Sequence, residues 1–270
     1  MSWLAGQMEQ MSHPDLELLI LAARKAAEIA LPFWQRDHKV WYKPDDAGPV
    51  TEADLQVDQY LKSHLMTERP DYGWLSEETE DGSARLSKSR VFVVDPIDGT
   101  RAFTAGERTW AHSLAVVENG VPVVGVVFLP VRERLYTAAR GHGAYLNAAP
   151  IQASHRRDVS GSDLLATRPT LSAQNWRELP DFKRHHRSSL AYRLALIGAG
   201  RFDGMLTLRQ TWEWDIAAGV LIAEEAGASV TNRSGQALEF NSPRALTHGV
   251  IAAAPGVHSQ LISALAPSET

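Results

Sequence analysis

The residues most able to do chemistry together are Asp95-Pro96-Ile97-Asp98-Gly99-Thr100, which follow directly on the apolar run Val91-Phe92-Val93-Val94. A buried strand of that kind delivers two carboxylates, three residues apart, into a tight turn. Pro96 fixes the local backbone, and Gly99 permits an unusual torsion or the close approach of a ligand. Crowded carboxylates repel one another unless a proton or a cation intervenes. Hard oxygen donors suit Mg²⁺, which keeps several waters and takes few protein carboxylates. If Gly99 and Thr100 open a helix, their amides face an anion. An Asx turn after a strand accounts for the same six residues without any ligand.

Two more acidic segments bear on that choice. Ser76-Glu77-Glu78 follows Trp74-Leu75, a short strand candidate; alone, such a glutamate pair is a solvated surface. Trp214-Asp215-Ile216-Ala217-Ala218-Gly219 places an acid at a helix start, where it complements the dipole. Capping alone explains that aspartate, while the small Ala217, Ala218 and Gly219 allow close packing on the strand bearing Asp95. Thr51-Glu52-Ala53-Asp54 reads as a capping box, with Glu52 in solvent. Cysteine is absent, which excludes disulfides, thiolate metal sites and a cysteine nucleophile and fits a reducing compartment. The two acids of the Asp-Pro-Ile-Asp turn are too far apart for an Asp-x-Asp nucleophile pair, and no Gly-x-Ser-x-Gly elbow occurs. None of the 10 histidines shows metal spacing; His185-His186, with Lys183, Arg184 and Arg187, forms a basic patch that is either a solvated loop or a surface for substrate attraction or an interface.

The elements that must position these groups follow from periodicity and punctuation. Leu16, Leu19, Ile20, Ala23, Ala27 and Ala30 recur at helical spacing between about Ser12 and Gln35, with Ser12 or His13 ahead of Pro14. Residues 43–49 read as a mobile polar loop, and a second helix starts at Thr51. The run from Val91 reads as a strand that stops at Asp95-Pro96. Ser113–Val117 and Val121–Leu129, joined through Glu118-Asn119-Gly120, form a hairpin, and Arg134–Ala138 adds a strand. Beyond residue 150 strands and helices alternate. Leu164–Ala166, Met205-Leu206, Ala228–Thr231 and Gly249–Ala253 are strands. Ser189–Ala199, Trp214–Ala226 (stopped by Gly227) and a segment from Pro255 are helices. This order implies layered α/β architecture.

The chain's 270 residues, 44% hydrophobic and 22% charged, are those of a globular protein with a sizeable core. A net charge of −5 offers nucleic acid and anionic membranes no general attraction. Met1–Met11 lacks a secretory signal, and no run reaches the ~18 apolar residues of a membrane span. A cytoplasmic protein is expected.

Taken together, Glu77-Glu78, DPIDGT and WDIAAG in this order, with Gly141-His142-Gly143-Ala144 and Glu225-Ala226-Gly227, resemble the inositol monophosphatase family of metal-dependent, lithium-sensitive phosphatases over nearly the whole chain. The resemblance implies an αβαβα sandwich and a homodimer. It also implies a division into an N-terminal α+β half, 1–150, with a largely antiparallel sheet, and a C-terminal α/β half, 151–270. By position in the motifs, Glu77 is a ligand of a first Mg²⁺, Asp95 bridges two ions, and the Ile97 carbonyl completes the first site. Asp98 and Asp215 hold the second ion; a third, weaker one lies near Glu77. Asp54 and Thr100 form the pair that activates the attacking water. The Gly99 and Thr100 amides neutralise phosphoryl charge, and no phosphoenzyme is required.

The expected substrate is a small soluble phosphate ester resembling an inositol monophosphate. Inositol-cleaving members carry a glutamate just upstream of the WD motif, where this chain has Thr207-Leu208-Arg209. Arg101 follows DGT where those members have a neutral residue; nucleotidase and histidinol-phosphate types more often have a basic one. Arg101 and Arg209 therefore either reach a further anionic group or are exposed and salt-bridged. Ser188 and Ser189 belong to the substrate side in the family, although capping explains Ser189 equally. Lys43 either approaches the metal cluster or is solvated. The alternatives are a 3'(2'),5'-bisphosphate nucleotidase or a histidinol-phosphate phosphatase and, from another class, a non-catalytic assembly or regulatory protein.

Overall fold

Two sheets and six α-helices stack in five layers in the computed structural model, which describes residues 13–36, 40–42 and 49–267. Met1–Met11, Lys43 and the rest of the 43–48 stretch lie outside the described residues. The outer layer is α1 (Pro14–Ala30) and α2 (Glu52–Glu68). They cover one face of a seven-stranded sheet made of β3 (Gly73–Ser76), β4 (Arg90–Asp98), β5 (Ala111–Glu118), β6 (Val121–Leu129), β7 (Arg134–Ala139), β8 (Ala144–Leu146) and β9 (Ala149–Ile151), in that spatial order. Only β3 and β4 pair in parallel there; the other neighbours are antiparallel. A short ribbon of β1 (Val40–Tyr42) and β2 (Pro49–Thr51) leads into α2.

Why the β4 run is apolar without alternation is now plain: both of its faces are buried. Phe92 and Val94 join Leu19, Ala23, Leu61 and Leu65 under α1 and α2. Val91 and Val93 join the opposite core, where α4 (Leu190–Gly198) and α5 (Glu213–Glu225) form the central layer. That layer also covers a five-stranded sheet of β11 (Phe182–His185), β10 (Ser162–Ala166), β12 (Gly204–Trp212), β14 (Leu246–Ala253) and β13 (Ser229–Thr231), in spatial order. Its far face packs Leu164, Leu206 and Ile251 against α6 (Pro255–Ala264). Sandwiched between sheets, α5 is buried round its first three turns except at the half-buried Asp215, as befits a central helix with one end at a cleft.

The elements depart from expectation at identifiable places. Helix α1 ends at Ala30 rather than near Gln35, because Pro32 has no N–H to extend the hydrogen-bond ladder, although Leu31 itself keeps helical torsions. Strand β4 continues through Pro96 to Asp98; its pairing with β5 slips between Asp95 and Asp98, so the proline sits in a bulge that needs no ladder donor. Asn147 and Ala148 both take positive φ, 49° and 65°, to turn the unforeseen β8–β9 hairpin. The basic segment read as a loop includes β11, an edge strand parallel to β10.

Close packing of α5 on the large sheet depends on a strand glycine rather than on Gly219. A Cβ at Gly219 would meet Leu194 of α4, whereas one at Gly125 on β6 would lie 2.8 Å from the Ala218 carbonyl oxygen. That backbone cannot move without shifting the layer. Gly125→Ala is expected to cost about 1–3 kcal/mol, seen as a lower urea midpoint at an unchanged slope.

Candidate active site

Residues remote in sequence are tied together by a short chain of backbone contacts. Asp95 on β4 stands opposite Ser113 on β5, and Ser113 Oγ donates to the Trp214 carbonyl at 3.1 Å. The first turn of α5, with Asp215, is thereby fixed beside Asp95. Glu213, fully buried, holds the same turn from behind by accepting from the Asn241 and Ser242 amides at 2.6 and 3.0 Å. On the other side, Glu77 N donates to the Val94 carbonyl at 3.3 Å. Asp58 of α2 accepts from Ser76 and Thr79, pinning the loop on both sides of Glu77. As a result Glu77, Asp95 and Asp215 each bring one carboxylate oxygen within 4.8 Å of the others.

Such an arrangement strains the acids electrostatically. Asp95 is 1% exposed, and its Oδ1 accepts no hydrogen bond among the described residues. Burial, and then the neighbouring Glu77, Asp98, Asp215 and Asp54, hold its carboxyl well above the usual range. A divalent cation is the partner that answers both the charge and the orphaned oxygen, and a purely carboxylate donor set fits Mg²⁺. The cluster therefore fits the ion expected from sequence.

Asp98 stands apart from this trio. Its Oδ2 accepts from Ser189 Oγ and the Ala191 amide at 2.7 and 2.6 Å, and its Oδ1 from the Leu190 amide at 3.2 Å. Burial raises its pKa to about 6, against the opposing pull of those bonds. The carboxylate placed by sequence at a second ion thus lies in the same cleft, but is engaged by the N-terminus of α4. Ser189 caps that helix, accepting from the Tyr192 amide at 3.0 Å.

Asp54 has two attachments. Its Oδ2 takes the Thr51 amide at 2.8 Å and the Thr51 hydroxyl, completing the capping box of α2. Its Oδ1 lies 3.3 Å from Thr100 Oγ1, which is also 3.1 Å from the Ile97 carbonyl oxygen. Gly99, at φ 97°, turns the chain from β4 into α3 (Thr100–Thr104), a conformation that disfavours any side chain.

His112 on β5 supports the Asp-Pro-Ile-Asp turn by donating from Nδ1 to the Pro96 carbonyl. The ring is fully buried, and burial lowers its pKa to about 4. A depressed histidine contributes stability that is present above pH 6.5 and lost as pH falls through the folded value. The full swing is about 3 kcal/mol. His112→Gln keeps a donor for Pro96 without titrating. Its urea midpoint is therefore expected to fall less between pH 7 and pH 4.5 than that of the wild type.

The acids line one side of a cleft of about 610 Å³. Arg101 and Arg209, both exposed, and the buried Ser189 line it too. His186 of the basic patch lines it as well, and sequence reasoning missed Arg193 and Trp212, which also do. An arginine within the apolar Leu190–Gly198 helix was the available signal for the first. Trp212 stacks on Trp214 with ring centres 4.6 Å apart. A second cavity of about 420 Å³ shares Thr167, Thr207 and Arg209 with the cleft.

Comparison with known proteins matches this architecture to a described group. A family model described as the inositol monophosphatase family matches residues 11–269. A histidinol-phosphatase of Mycobacterium tuberculosis is 33% identical over 260 residues, covering 89% of this chain and 96% of that protein. An inositol-1-monophosphatase of Rhizobium meliloti is 35% identical over 230 residues, covering 82% and 86%. Among solved structures, an IMPase of Thermotoga maritima superposes with a TM-score of 0.79 at 28% identity, covering 93% of this chain and 96% of that one.

Proposed function

The chain belongs to the inositol monophosphatase family, and from that premise we propose that it is a Mg²⁺-dependent phosphomonoesterase acting on a small phosphate ester. The observation that carries this reading is buried Asp95, which brings one carboxylate oxygen within 4.8 Å of oxygens of Glu77 and Asp215 and whose Oδ1 has no donor among the described residues. Glu77, Asp95 and the Ile97 carbonyl would hold a first ion, Asp95, Asp98 and Asp215 a second, and a third, weaker one would lie near Glu77. Bound there, Mg²⁺ supplies positive charge that acidifies water and neutralises the phosphoryl oxygens.

The remaining work falls to the chain's own groups. Thr100 Oγ1, between Asp54 Oδ1 and the Ile97 carbonyl, orients the attacking water, and Asp54 is the acceptor for its proton. Asp54 can accept because its Oδ1 faces Thr100 while Oδ2 is committed to the helix cap. The Gly99 turn presents the start of α3 to the phosphoryl group, and attack is in line with the departing alcohol.

Myo-inositol 1-phosphate, 3'-phosphoadenosine 5'-phosphate and histidinol phosphate, each assayed for phosphate release in Mg²⁺ and in EDTA, test the proposal. Release from at least one ester that requires Mg²⁺ is expected. No release from any of them, or release undiminished in EDTA, overturns it.

A further inference from the structure

Arg193 has no part in the hydrolytic scheme, yet it faces the same cleft. It interrupts the apolar helix α4 and is only 8% exposed. A guanidinium stays charged and offers five N–H donors in a rigid fork. Two of these are spent inside the protein: Nε donates to the Arg187 carbonyl, and Nη2 donates to His186 Nε2 at 3.1 Å. No carboxylate lies within ion-pair distance of Arg193 among the described residues. Asp98 attracts it from further off, but both Asp98 oxygens are occupied by the start of α4.

Arg209 on β12 repeats the pattern. It too has no carboxylate partner among the described residues; its Nη1 donates to the Gln210 carbonyl at 3.0 Å, and its charge opposes that of Arg193. Glu107, the acid that acts on His186, accepts from the hydroxyls of Ser188 and Thr109. Two cations thus line one cleft with no carboxylate in ion-pair contact among the described residues, one of them buried with donors unspent. Burying a charge without a partner is strongly unfavourable, so the arrangement calls for an anion from outside.

We propose that Arg193, with Arg209 beside it, receives a second anionic group of the substrate, so that the ester cleaved here carries a carboxylate or another phosphate on its alcohol part. The inference rests on the phosphatase reading and adds the class of substrate. A guanidinium fork suits either anion bidentately. The same wall disfavours an ester whose alcohol part is a cationic amine. The adjoining cavity past Thr167, Thr207 and Arg209 leaves room for a longer alcohol.

Two matched pairs of monophosphates test it with short and long reach: glycerol 1-phosphate against 3-phosphoglycerate, and glucitol 6-phosphate against 6-phosphogluconate. Within each pair a hydroxymethyl group is replaced by a carboxylate. In at least one pair the wild-type protein with Mg²⁺ is expected to favour the carboxylate by tenfold or more in kcat/KM, mainly through KM. Arg193→Gln and Arg209→Gln should each reduce that ratio about tenfold. Arg209 is exposed, so its variant carries the test alone if the α4 variant does not fold. Ratios near one in both pairs, or both esters of a pair falling in parallel in the variants, overturn the inference while leaving the phosphatase reading intact. No phosphate release from any of the four esters, while one of the three esters tested above is hydrolysed, also overturns the inference alone; no release from all seven overturns the phosphatase reading itself.

Discussion

Asp95→Asn is expected to lower kcat/KM by roughly a thousandfold or more and, in EDTA, to raise the melting temperature. The two effects share one cause. The carboxylate is buried, its Oδ1 has no donor, and four other acids act on it. Without a cation, that negative charge is a liability to the fold; with one, it becomes a ligand. Because burial and like charges raise its pKa, its contribution to stability is full below the ordinary carboxylate pKa and is lost as pH rises through the folded value. The wild type in EDTA should therefore lose more stability than the asparagine variant does as pH is raised from about 4 to about 8, upward from the ordinary carboxylate range. Each ~1 kcal/mol corresponds to roughly 2–4 °C in a protein of this size. Mg²⁺ should raise the wild-type midpoint much more than that of the variant, since a ligand stabilises only the state that binds it. Scanning calorimetry in EDTA and in Mg²⁺ at both pH values reads all of this. A variant no more stable than wild type in EDTA would falsify the electrostatic account even if activity were lost.

How much of this was legible in the sequence differs by the range of the contact. Asp95 could be singled out because it ends the strong, local apolar pattern of β4, whereas Glu77 and Asp215, which alone read as a solvated pair and a helix cap, gained roles only from the family resemblance of the motifs taken together. The layered architecture followed from local patterns like that of β4. What could not be read was how the three are stapled together. The Ser113 hydroxyl reaches the Trp214 carbonyl across 101 positions, and Asp98 finds its donors on α4, more than 90 positions away. Neither serine nor aspartate announces such a partner, because side-chain hydrogen bonds leave no periodic trace. Edge elements were hidden for a related reason. Pro150 lies in β9, at the end of the large sheet, where a missing N–H is tolerated, and β11 is polar because it too is an edge. Arg193 was passed over because helix periodicity treats one charge in an apolar face as noise, whereas in three dimensions it is a buried cation facing a cleft.

The second large effect separates catalysis from stability at a residue that serves both. Asp54 gives one oxygen to the α2 cap and turns the other toward Thr100. Asp54→Asn is therefore expected to cost about a hundredfold to ten-thousandfold in kcat, together with roughly 1 kcal/mol of stability from the weakened capping box. Thr51→Ala and Thr100→Val split these consequences. The first removes the cap hydroxyl, so its urea midpoint should fall as far as that of the Asp54 variant, while kcat declines much less. The second removes the hydroxyl between Asp54 and the Ile97 carbonyl, so kcat should fall by about a hundredfold or more at nearly unchanged stability. It is close to isosteric, but leaves Asp54 without the partner that orients the attacking water. If Thr51→Ala lowers kcat as much as Thr100→Val, Asp54 acts only by holding α2 in place, and the proton must go to another acceptor. If neither does so while Asp54→Asn remains severe, the aspartate works without its threonine, and the hydroxyl serves only to close the turn onto Ile97.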